Sequence, residues 1–216
     1  VRRSLASSFM PGAYVFPGGR VDPDDGAPES LARVALPDDV VVALFSGGLP
    51  PDDARACLVA AAREVEEEAL IPLPDPGVLR PWSRWVTPEF ERKRFDTWFF
   101  VAAVPPGATP GHDAVEVTAS AWVDPVRALD AGDASMIFAP PTWYTLWELG
   151  QHRGVGAVLD AASRRVVRPV HPRFQTIDDQ MAIVLPGDPL HPSEHPLAGP
   201  TRIVVGADGR WWGVQP

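Results

Sequence analysis

The residues best suited to chemistry form one acidic run, Arg63-Glu64-Val65-Glu66-Glu67-Glu68. On a helix with 100° per residue, taking Glu64 as zero, Glu67 lies at about −60° and Glu68 at about +40°, whereas Glu66 falls near 200°. Three carboxylates therefore share one face of the helix. The apolar side chains of the same segment occupy a neighbouring stripe, so the acidic face borders the buried side of the helix.

The clustered carboxylates carry a cost that a divalent cation would offset. Like charges at these spacings destabilise a helix by about 0.2 to 0.5 kcal/mol per pair, and by more where they are partly desolvated. Oxygen ligands from few side chains favour Mg²⁺ or Mn²⁺, which keep waters and accept phosphate oxygens in their other positions. A solvated acidic helix face is the alternative interpretation of the same run.

Two elements must position this cluster. The segment 52–70 predicts a helix, with Asp52 or Asp53 as its N-cap, an alanine-rich body and Pro72 to prevent continuation. Upstream, 13–16 predicts a short strand that leads into Pro17-Gly18-Gly19, where the glycines allow the backbone to approach a ligand closely.

The rest of the chain predicts a mixture of strands and helices. Strands are expected at 82–85, 94–104, 115–123, 181–185, 201–205 and 210–214, and helices at 140–150 and 155–165. The apolar run within 94–104 predicts a strand that is buried on both faces. Ala207-Asp208-Gly209 predicts the turn of a hairpin between the last two strands.

The acidic run and the glycine loop together resemble the box of the Nudix hydrolases. That pattern runs Gly, five residues, Glu, seven residues, Arg-Glu-apolar-x-Glu-Glu-x-Gly-apolar, and its core string should arise by chance on the order of once per thousand chains of this length. Here Asp25 stands where the first box glutamate is expected, some 37 residues separate it from Arg63, and Leu70 replaces the closing glycine. An insertion at about 26–51 would explain the long spacing.

The resemblance implies a fold and a set of ligands. The fold would be a Nudix α/β/α sandwich on a mixed sheet, as a single domain over 1–216 with a β-rich C-terminal extension at about 166–216. Glu64, Glu67, Glu68 and the carbonyl of Gly18 would hold Mg²⁺ or Mn²⁺, and Arg63 would orient the glutamates.

The resemblance also implies roles in catalysis and substrate binding. Glu64 and Glu67 are the expected catalytic residues, and Glu116 is the candidate general base or additional ligand, with Glu89 and Glu91 as alternatives. Arg20 and Gly19 are the candidate substrate-binding residues, with Arg20 as the phosphate contact. A homodimer is a further expectation from the family.

The reaction implied is hydrolysis of the pyrophosphate in a nucleoside diphosphate linked to another moiety. A box insertion also occurs in the branch resembling the peroxisomal coenzyme A diphosphatases, and 82–88, 94–100 and 139–142 look like that branch. Coenzyme A or an acyl derivative is therefore the first substrate expected, giving 3′,5′-ADP and phosphopantetheine. ADP-ribose or a dinucleotide, or a nucleotide-binding module without turnover, are the alternatives.

Composition limits the other classes of function. A formal net charge of −9 disfavours a nucleic-acid partner. Apolar runs are too short to span a membrane, and the single cysteine, Cys57, cannot form an internal disulfide. Since no stretch resembles a secretory signal, a cytoplasmic location is expected. Residues 1–9 look like the end of a segment that began earlier, so an N-terminal strand ahead of Val1 is also expected.

Overall fold

The computed structural model divides the chain into two units. The first unit comprises Val1–Trp82, Trp98–Val123 and His152–Val167, and the second comprises Ser83–Thr97, Asp124–Gln151 and Arg168–Pro216. The structure describes residues 1–6, 10–89, 91, 93–112, 117–130, 136–193, 195–206 and 209–214. The single-domain organisation stays a prediction.

Helices and strands both occur throughout the described ranges. The helices are α1 (Pro28–Leu31), α2 (Asp38–Leu44), α3 (Pro51–Ala69), α4 (Pro125–Ala128), α5 (Pro140–Gly150) and α6 (Gly154–Arg164), with 3-10 turns at Pro23–Gly26 and Pro76–Val78. The strands are β1 (Arg2–Arg3), β2 (Arg80–Val86), β3 (Asp96–Val101), β4 (Val117–Ala119), β5 (Pro169–Val170), β6 (Arg173–Ile177), β7 (Gln180–Val184), β8 (Arg202–Val205) and β9 (Trp211–Val214). Within these ranges no helix combines the length and apolarity needed to cross a bilayer.

Helix α3 confirms the predicted helix but not its predicted start. Pro50 is the N-cap, and Pro51 occupies the first helical position, where a fixed φ and a missing N–H cost nothing. The expected aspartate caps, Asp52 and Asp53, instead lie in the first turn, where their negative charges interact favourably with the helix dipole. The helix ends at Leu70, whose backbone is left-handed with φ 54° and ψ 34°.

Two strand predictions of the first unit are corrected. Segment 13–16 forms only an isolated bridge between Tyr14 and Arg2, and not a strand. The segment that it pairs with, β1, is itself only two residues long. Strand β3 is half-buried rather than buried on both faces. Its apolar residues divide between the two faces: the rings of Trp98 and Phe100 pack on Phe45, and the ring of Phe99 meets the ring of Phe16 edge-on.

The predicted insertion builds the core of the first unit. Val41 of α2 and Phe45 just after it are completely buried. They pack against the inner face of α3 in a cluster that includes Leu58, Val59 and Ala62. The ring of Phe45 lies 4.8 Å from the ring of Trp98. The insertion therefore supports the side of α3 opposite its acidic face.

The second unit contains the predicted β-rich extension. Strands β6 to β9 form an antiparallel sheet in chain order, and β5 pairs in parallel with β2. The pairing of β8 with β9 confirms the predicted hairpin, although residues 207 and 208 of its turn lie outside the described residues. Trp143 of α5 fills the space beside Gly213, where a Cβ would lie 2.2 Å from the indole.

Candidate functional site

Arg63 lies at the centre of the candidate site. Its Nε and Nη2 donate to the two carboxylate oxygens of Asp25, both at 3.0 Å, and Nη2 also donates to the carbonyl of Arg20 at 3.0 Å. Its Nη1 donates to Glu64 Oε1 and to Glu67 Oε2, both at 2.9 Å. A guanidinium has five N–H donors, and each of the five has an acceptor here. The Arg63 side chain thus joins the segment 20–25 to two of the three clustered glutamates.

Asp25 is the most buried of the three acidic side chains that accept hydrogen bonds from Arg63. Its side chain is only 3% exposed, and its Oδ2 also accepts the backbone N–H of Asp22 at 2.8 Å. Burial raises the pKa of Asp25, but hydrogen bonds from Arg63 and Asp22 and the charge of Arg63 outweigh it, so the pKa lies below its usual range. The hydrogen bond to Asp25 also raises the pKa of Arg63 above its usual range, although burial of the guanidinium opposes this shift.

The glycine loop contacts the other glutamate. The N–H of Gly18 donates to Glu68 Oε2 at 3.0 Å. A Cβ added to Gly19 would lie 2.1 Å from Glu64 Oε1, whereas a Cβ on Gly18 would meet no atom within 4 Å. Only glycine at position 19 therefore leaves the carboxylate of Glu64 where it is. The loop and the acidic face are fitted to each other.

The electrostatics of the acidic face follow from partial burial. Burial raises the pKa of Glu64, and the charges of Glu67 and Asp22 add to this, although Arg63 opposes the shift. Burial likewise raises the pKa of Glu68, with a further contribution from Glu64 and opposition from the Gly18 N–H. A positive ion beside these oxygens would offset both the desolvation and the repulsion.

The donor set fits a hard divalent cation in its chemistry. All three side chains offer oxygen, and the exposed Gly18 and Gly19 leave the approach to them open. As placed, no three acidic, histidine or cysteine side chains among the described residues converge on one point that could hold an ion. Glu64 and Glu67 face Arg63 instead, so the metal-ligand assignment and its cofactor stay predictions.

The other predicted site residues are less closely connected. Arg20 is exposed beside Gly19, and its backbone carbonyl accepts from Arg63. Glu89 and Glu91 are exposed residues of the second unit. Glu116, the candidate base, lies outside the described residues. Their catalytic and binding roles stay predictions.

Sequence reasoning gave Asp25 a position but no function. Its signal was the string Pro23-Asp24-Asp25-Gly26, which predicts a turn but does not say which aspartate faces inward. In the structure Asp25 is buried and bonded to the distant Arg63, whereas Asp24 is exposed. The box pattern places Asp25 ahead of Arg63 but does not indicate that the two side chains are in contact.

Comparisons with known proteins give a consistent family. No family model matches the chain. The acyl-coenzyme A diphosphatases NUDT19 of Gallus gallus and Xenopus laevis are 25% and 23% identical to it, covering 96% and 95% of this chain and 76% and 74% of theirs. The putative nudix hydrolase 7 of Caenorhabditis elegans is 26% identical over 94% of this chain and 72% of its own.

A solved structure agrees with these relatives. The crystal structure of a Nudix hydrolase from Alicyclobacillus acidocaldarius matches with a TM-score of 0.58 and 25% identity, covering 78% of this chain and 88% of that one. This likeness confirms the predicted α/β fold class. With the Arg63 contacts and the glycine loop, this likeness and the relatives support a Nudix hydrolase family member that resembles the coenzyme A diphosphatase branch.

Proposed function

We propose that this Nudix pyrophosphohydrolase requires Mg²⁺ and cleaves coenzyme A or acyl-coenzyme A to 3′,5′-ADP and phosphopantetheine or its acyl derivative. The observation that carries the proposal is the contact of Arg63 with Asp25, Glu64 and Glu67, which orders an oxygen-rich face beside the glycine loop. The substrate is supported by the relatives named acyl-coenzyme A diphosphatase.

Hydrolysis would join the oxygen of water to one phosphorus and break the bridging P–O bond of the pyrophosphate. A bound Mg²⁺ supplies neutralisation of phosphate charge and a lower pKa for the attacking water. Glu64, Glu67 and Glu68 would hold the ion, and Arg63 keeps the first two in place. Arg20 would bind phosphate through its exposed guanidinium, and Glu116 would accept the proton of the water.

Two glycine variants give a matched test of this site. Gly19→Ala would displace the carboxylate of Glu64, whereas Gly18→Ala enters open space and keeps its N–H. In a Mg²⁺-dependent assay with coenzyme A and products resolved by mass spectrometry, we expect Gly18→Ala to release 3′,5′-ADP like the wild type. Gly19→Ala and Glu67→Gln should lose about 100-fold or more of the rate.

The same assay separates the competing substrates. A clear preference for ADP-ribose, NADH or a diadenosine polyphosphate would keep the mechanism and replace the substrate. Equal activity of Gly18→Ala and Gly19→Ala would contradict the role of the loop.

A nucleotide-binding module without turnover is the second candidate. It is favoured by the departures from the Nudix box at Asp25 and Leu70 and by the β-rich C-terminal extension. No cleavage of any pyrophosphate, together with a melting temperature that Mg²⁺ does not change, would support the module over the enzyme.

A further inference from the structure

Trp122 has an exposed side chain and no role in the proposed reaction. All eight tryptophans lie within the described ranges, and seven of them are buried or half-buried, whereas 57% of the surface of Trp122 is exposed. Its indole Nε1 donates to the carbonyl of Ala108 at 3.3 Å. The polar edge of the ring is therefore satisfied by the protein, and a large apolar face is available to a ligand.

The loop that Trp122 contacts is attached to the end of the acidic helix. The N–H of Gly111 donates to the carbonyl of Ala69 at 2.8 Å, one residue beyond Glu68. Gly111 also lies directly against Leu70, since a Cβ there would be 2.6 Å from Leu70 Cδ1. Gly111 lies only three positions after Ala108, so these contacts limit the distance from Glu68 Cα to the indole nitrogen to about 25 Å.

We propose that Trp122 is a stacking platform for the purine ring of the substrate. This inference rests on the proposed function, because it assigns the nucleotide half of a coenzyme A-like substrate to the indole. A flat aromatic ring matches one fixed indole face, whereas a flexible pantetheine or acyl chain is better held by a groove that surrounds it. Trp122 would then select substrates by their base and take no part in bond cleavage.

Binding of substrate fragments tests the inference without turnover. Titration calorimetry would use 3′,5′-ADP and, separately, 4′-phosphopantetheine, with wild type, Trp122→Phe and Trp122→Leu. Phe keeps an aromatic face and Leu keeps only apolar bulk. We expect Trp122→Leu to weaken 3′,5′-ADP about 5- to 150-fold, Trp122→Phe to retain most of the affinity, and 4′-phosphopantetheine to change less than about twofold.

The control is Phe174→Ala, which removes an exposed aromatic ring from the second unit. Equal weakening by this variant, equal loss of both fragments, or wild-type affinity for 3′,5′-ADP in Trp122→Leu would overturn the inference. So would a wild-type protein that does not bind 3′,5′-ADP. In a cleavage assay the effect should fall on KM rather than on kcat.

The two proposals fail separately. Trp122-dependent binding of 3′,5′-ADP by a protein that cleaves no pyrophosphate would refute the enzyme and support the platform. Cleavage of coenzyme A with the same KM in Trp122→Leu would refute the platform and support the enzyme.

Discussion

Replacing Asp25 with Asn removes the charge that holds Arg63 but barely changes side-chain shape. Asn offers one carbonyl oxygen in place of the two oxygens that accept from Arg63 and Asp22. Breaking a buried ion pair costs about 3 to 5 kcal/mol, since the other charge is left without its partner. Arg63 is 24% exposed and keeps Glu64 and Glu67, so we expect a loss of about 2 to 3 kcal/mol.

A loss of this size is measurable by thermal and denaturant unfolding. For a chain of this length it lowers Tm by about 5 to 10 °C. The matched control is Asp24→Asn, which makes the same chemical change at an exposed neighbour and should stay within about 0.5 kcal/mol of wild type. If Asp25→Asn unfolds at the same temperature as Asp24→Asn, the contact with Arg63 does not stabilise the fold, and the reasoning is refuted.

Three other perturbations test the helix end, an ion pair and the core. Leu70→Asn should keep stability within about 0.5 kcal/mol, whereas Leu70→Val should cost about 1 kcal/mol, because a β-branched residue tolerates positive φ poorly; equal melting temperatures would contradict this. Hydrogen bonds from Arg84 hold the pKa of Asp96 below its usual range, so the pair stabilises the protein above the unfolded pKa and is lost as pH falls through the folded one. Asp96→Asn should therefore cost about 0.5 to 1 kcal/mol of stability at neutral pH and almost nothing near pH 2. A stability difference between variant and wild type that persists in acid would contradict this prediction. Phe45→Ala should cost about 3 to 5 kcal/mol in denaturant unfolding and the exposed Val40→Ala less than about 0.5; similar losses would show that the insertion is not core.

Local patterns predicted the elements of this protein well. The acidic face of α3 is visible from helical spacing alone, and α5 begins and ends where its paired prolines and glycine indicate. The predicted start of α3 was wrong because Pro51 and the following aspartates are all good first-turn residues. Only the folded backbone shows which residue is the cap.

Features that depend on distant contacts could not be read in this way. The partial exposure of β3 depends on which neighbours cover each face, and its apolar run is compatible with more than one arrangement. The left-handed backbone of Leu70 likewise goes against local preference, since a glycine is usual at that position. Its packing against Gly111 comes from a loop some 40 residues away.

The insertion changes how this site must assemble as the chain folds. Asp25 and Arg63 are 38 positions apart, and closing that loop costs about 1.4 kcal/mol more chain entropy than a spacing of eight would. Packing of α2 on α3 through Val41 and Phe45 shortens the free loop that the ion pair must close. Excising the insertion would reduce the entropic cost of closure but would remove the apolar contacts that fold the helix, so a minimal box made from this chain would gain proximity and lose its scaffold.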